Sequence, residues 1–142
     1  MPNFAAKYSS EFLTAERMRT ALAQLPSILI RLFGQCTIKV CYGFGTNLHG
    51  DLLYIPMGVS TEVLPYFLEE SIDQRITVPG HSDLLLTSPN NELDLLFCHE
   101  SDIHVNGDNE EMMLRFTQSR EFEDVRFYSQ SELEAKYPDR NR

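Results

Sequence analysis

The chain has 142 residues, 42% hydrophobic and 23% charged, enough apolar material for one core without disulfides or a structural metal. Its 12 basic and 21 acidic residues give a net charge of −9, which argues against nucleic acid or an anionic membrane as the main partner. No apolar run approaches the roughly 18 residues that cross a bilayer.

Residues 1–7 lack a basic stretch followed by an apolar block, so no secretory leader is expected and the cytoplasm is the expected compartment. The odd cysteine count (Cys36, Cys41, Cys98) fits free thiols under reducing conditions. Cys36 and Cys41 have no second cysteine pair to complete a zinc ribbon.

Ser9, Ser10 and Thr14 read as helix caps, and Met18, Leu22, Leu25, Leu29 and Leu32 then form one apolar stripe at spacings of four and three. Pro26 either kinks this helix or starts a second one, and Gly34 ends it. Thr37–Tyr42 and Asp51–Ile55 read as strands around a Gly43–Gly50 loop. Ser60 or Thr61 opens a helix carrying Val63, Leu64, Phe67, Leu68 and Ile72, with Glu69, Glu70 and Asp73 outside. Arg75–Val78 reads as a further strand.

Asp83–Thr87 and Glu92–Cys98 flank Ser88-Pro89-Asn90-Asn91, a turn signature, and are expected to pair as a hairpin. Asp102–Val105 continues as a short strand. Asp108 caps a helix over roughly 110–118, and Asp124–Tyr128 forms a last strand. Ser131 opens a short helix that Pro138 ends, with Asp139–Arg142 expected to fray. The expectation is one α+β domain over residues 1–142, with a mixed or mainly antiparallel sheet of about five or six strands under an N-terminal amphipathic helix.

Motifs for chemistry are sparse. Gly43-x-Gly45 lacks the third glycine and the following helix of a dinucleotide fingerprint, so a hairpin connection is expected there. His99-Glu100-Ser101-Asp102-Ile103-His104 is the densest group of ionisable side chains. Its histidines are five apart, not the four that place two imidazoles on one helical face. On an unbroken strand Glu100, Asp102 and His104 share a face, competent for metal binding or acid–base work, with His99 as an outer group. Cys98 and His99 are strand neighbours and point apart. No local signature marks a nucleophile, and neither a cofactor nor a catalytic residue is assigned.

Charge is unevenly spread. Residues 60–111 hold twelve carboxylates against Arg75 alone, a net −11, and the remainder carries +2. Such a segment suits docking to a basic protein, with carboxylates steering encounter and aromatics such as Tyr54, Tyr66 or Phe67 as anchors where exposed. In size, acidity and absence of a catalytic signature the chain is similar in type to the small immunity or antitoxin proteins that bacteria keep against toxins. That likeness implies a basic toxin as partner but covers no motif and assigns no residue; on this reading Glu69, Glu70, Asp73, Glu100, Asp102, Glu110 and Glu111 of the acidic sequence are the expected contacts. The alternative is a small hydrolase or metal-binding domain using Glu100, Asp102 and His104.

Overall fold

Thr14 Oγ1 accepts a hydrogen bond from the Arg17 amide at 3.1 Å and starts helix α1 (Ala15–Phe33), which Gly34 ends in a left-handed conformation (φ 71°). The computed structural model describes residues 4–136. Pro138 and Asp139–Arg142 lie outside the described residues. α1 runs through Pro26 without a break, and Met18, Leu22, Leu25 and Leu29 of the apolar stripe are buried.

The helix covers one face of a seven-stranded, wholly antiparallel sheet, β1 (Tyr8–Ser10), β2 (Thr37–Tyr42), β3 (Met57–Ser60), β4 (Leu84–Thr87), β5 (Asp94–Phe97), β6 (Ile103–Asn106) and β7 (Phe127–Ser129). The spatial order is β3-β2-β4-β5-β6-β1-β7. Helices α2 (Leu64–Asp73), α3 (Glu110–Thr117) and α4 (Gln130–Lys136) complete the fold. α2 and α3 both pack against α1.

The fold is α+β as expected, with more strands than five or six. The extra strand is β1, formed by the Tyr8-Ser9-Ser10 segment that reads as a helix cap. Buried between β6 and β7, its backbone groups bond to both neighbours, and that pairing outweighs the capping preference of serine. The β4–β5 hairpin forms in the expected place, its turn held by Asn90 and Asn91 at φ 61° and 56°.

Other boundaries move. Arg75–Val78 is a turn, with Arg75 itself at φ 58°. The second strand begins at Met57 instead of Asp51, leaving a long loop over 43–56. Gly45 sits in that loop at φ 82°, where an added Cβ would lie 2.3 Å from the His81 carbonyl oxygen. Close packing on residues 81–83 explains the glycine, and a phosphate cradle is not needed. The caps shift too: Val63 precedes α2, and Asn109 accepts from the Met112 amide in place of Asp108.

The core lies between α1 and the sheet. Val40, Leu86, Leu95 and Val105 sit in one cross-strand row facing the helices. The neighbouring row faces the other way: Cys41, Leu85, Leu96, His104, Ser9 and Tyr128 stand side by side across six strands. This second face carries the ionisable cluster.

Candidate functional site

Two places stand out, the outer side of α2 and the face of the sheet opposite α1, where Lys136 of α4 packs on Tyr128. In α2, Leu64, Leu68 and Ser71 are buried, and Phe67 stacks on Tyr42 with centroids 5.8 Å apart. Ser71 Oγ donates to the Phe67 carbonyl at 2.7 Å and also bonds to the Tyr42 hydroxyl. The opposite side therefore presents Tyr66, Glu69, Glu70 and Asp73, at the spacings that bring residues onto one helical face. Tyr66 is 72% exposed, and all three carboxylates are exposed, as is Glu62 just ahead of the helix.

Glu70 Oε1 accepts a hydrogen bond from the Gln74 side-chain amide one turn on, but the helix dipole gains nothing from these charges. α2 has no acidic residue in its first turn and no basic residue in its last. Glu70 and Asp73 stand at the carbonyl end, where the helix dipole disfavours negative charge. Beside Glu69, a shallow apolar groove of about 310 Å³ runs between α1 and α2 over Leu22, Pro26, Pro65 and Ile72, with Arg19 at its rim.

The remaining acidic residues separate by environment. Glu110 and Glu111 are exposed in the first turn of α3, where the dipole favours them, and Tyr8 donates its hydroxyl proton to Glu110 Oε1. That bond holds the Tyr8 phenol up at about 12. Glu100 is exposed in the β5–β6 turn. Asp102 is not available to a contact surface: it is 1% exposed, just ahead of β6.

On the face opposite α1, register brings together side chains from β1, β5 and β6. Ser9 is paired with His104, and its Oγ lies 2.8 Å from Nδ1 of that imidazole. The other ring nitrogen, Nε2, is 3.0 Å from Asp102 Oδ1. Oδ1 nevertheless makes no hydrogen bond of good geometry, although it is fully buried. Cys98 stands opposite Asp102, its amide bonded to the Asp102 carbonyl at 2.9 Å. The Cys98 thiol, the Asp102 carboxylate and an imidazole nitrogen of His104 lie within 4.8 Å of one another.

Cys98 also belongs to a second group, with Asp83 and His99. Asp83 is 1% exposed and accepts from the His99 amide at 2.7 Å, with His99 Nδ1 at 2.8 Å. Phe44 from the 43–56 loop covers His99, centroids 4.7 Å apart. Burial first, and then the charges of Asp102, Asp83 and Glu100, push the Cys98 thiol up to about 12. A thiol held so high is protonated at neutral pH.

The sequence places Glu100 in this group; the structure does not. Residues 99–102 form a turn with Ser101 at φ 70°, which breaks the alternation and swings Glu100 to the surface, 3.8 Å from His99 Nε2. Its place is taken by Cys98, across the turn. Ser9 carries no local signal, since it becomes visible only through its pairing with β6.

His104 and Ser9 also line a cavity of about 550 Å³ with Lys7, Asp94 and Asn106. Burial raises the Asp94 carboxyl above its ordinary range. No family model, curated protein or solved structure matches this chain.

Proposed function

We propose that this chain is an acidic protein-binding module that docks a basic protein through the outer face of α2, in the manner of an immunity or antitoxin protein masking a basic toxin. The observation that carries the reading is Tyr66, a large aromatic ring 72% exposed on the same helical face as Glu69, Glu70 and Asp73. Aromatic anchors supply affinity at interface centres, and surrounding carboxylates supply steering and discrimination. Asp73 at the carbonyl end of α2 opposes the helix dipole, and Glu70 does so apart from its bond from Gln74, which favours a task outside the fold.

On this reading Glu69, Glu70 and Asp73 form the primary contact set, and Glu100, Glu110 and Glu111 add to the long-range field. Asp102 has no part in it. The test is association kinetics with the captured partner across a salt series. Reversing Glu69, Glu70 and Asp73 to lysine slows association and flattens its salt dependence, while Tyr66→Ala acts mainly by speeding dissociation. Association rates unchanged by the triple reversal contradict the proposal.

A further inference from the structure

We infer that Cys98, Asp102 and His104 form a binding site for one thiolate-preferring divalent transition metal of the zinc class, on the face of the sheet opposite α1. The inference is independent of the α2 docking surface and uses none of its residues.

The donor set is the first ground. A cysteine sulfur, a carboxylate oxygen and an imidazole nitrogen suit zinc or cobalt and are poor ligands for calcium or magnesium. Around one tetrahedral ion such atoms stand about 3.2–3.8 Å apart, and here they lie within 4.8 Å of each other before any ion draws them in. Small side-chain rotations on a fixed sheet close that difference. The three residues come from adjacent strands and their turn, so the backbone is already in place.

The second ground is the orphaned carboxylate. Asp102 is 1% exposed and its Oδ1 makes no hydrogen bond, although buried polar atoms rarely go without one. Its ion-pair partner is His104, a residue whose charge depends on protonation. Asp83 nearby differs in this respect, because the His99 amide satisfies it, so the second trio lacks the same demand.

The third ground is the outer shell. Ligating histidines hold their second ring nitrogen in a hydrogen bond, and Ser9 Oγ sits 2.8 Å from His104 Nδ1. With Nδ1–H donated to Ser9, the Nε2 lone pair faces Asp102 and the ion. Ser9 is thus a positioning residue for the ligand. Binding replaces the Cys98 S–H bond with a sulfur–metal bond and releases that proton to solvent.

The experiment uses the tag-free, reduced full chain, stripped with a chelator and titrated with Co²⁺, followed by displacement with Zn²⁺. The expected result is one equivalent of cobalt giving a thiolate-to-metal charge-transfer band that zinc abolishes. Cys98→Ser removes the band, whereas Cys41→Ser and Cys36→Ser keep it. His104→Ala and Asp102→Asn each weaken binding at least tenfold.

Asp102→Asn can disturb folding, so Ser9→Ala supplies the second arm. It is expected to keep one equivalent and the band while weakening affinity about 10–100-fold. Absence of a saturable one-equivalent band in the wild type, a band that survives Cys98→Ser, or a Ser9→Ala affinity equal to wild type overturns the inference.

Discussion

Arg31 grips both oxygens of Glu121, at 2.8 and 2.6 Å, and so ties the last turn of α1 to the 120–122 turn. The guanidinium holds the Glu121 carboxyl below its ordinary value of 4.5. A lowered folded-state value means the stabilisation is present above the unfolded value and is lost as pH falls through the folded one. Thermal melting should therefore show wild type above Glu121→Gln near neutral pH, with the difference shrinking in acid as pH falls below the ordinary carboxyl value and through the lowered one. A difference that persists or grows in acid contradicts the pairing.

Single residues also decide what was legible on the face opposite α1. Asp102 and His104 alternate, and their shared direction could be read directly. Ser101, at φ 70°, turns the chain between Cys98 and Asp102, and no residue in the sequence announces that conformation as glycine would. The replacement of Glu100 by Cys98 follows from that one dihedral.

At the scale of elements, a long apolar stripe or a strong turn motif was sufficient. α1 and the β4–β5 hairpin fall where their patterns put them, for the stripe buries against a sheet and the Pro-Asn-Asn turn accepts left-handed backbone. Placing a branched residue in that turn gives the check: Asn90→Val should cost about 1–2 kcal/mol in urea unfolding, against less than 1 kcal/mol for Asn90→Gly. Equal stability of the two variants contradicts the turn geometry.

Short elements were less legible. β1 is three residues long, and β3 lies beyond a loop whose Leu52 and Ile55 imitate a strand yet are exposed. In both cases sheet pairing decides what local preference cannot. α2 shows the reverse conflict, a helix with its charges at the wrong end. Replacing Glu70 and Asp73 with lysine should raise stability, by ~0.3–1 kcal/mol at Asp73 and by less at Glu70, which gives up its bond from Gln74. The same variant should bind a basic partner less well. A double variant that loses stability instead removes the argument that these charges oppose the fold.

For the whole molecule, charge and architecture separate. The −11 segment from 60 to 111 spans α2, the central strands and the start of α3, so its carboxylates are dispersed over several surfaces. Composition shows that excess but not its geography. Burial of Asp83 and Asp102 removes two of these groups from the exterior, and α2 gathers three more around Tyr66. Among the described residues no helix is long and apolar enough to cross a membrane. One face of the sheet holds the core against α1; the other carries the Cys98–Asp102–His104 cluster.

The most direct test of the docking account is capture on the tagged full chain from its native lysate, washed at low and then high salt, beside the Glu69→Lys/Glu70→Lys/Asp73→Lys variant. The account predicts one basic protein in stoichiometric amount on the wild type, loosened by salt and depleted on the variant. A basic protein retained equally by both chains, or no stoichiometric protein on either at low salt, contradicts it.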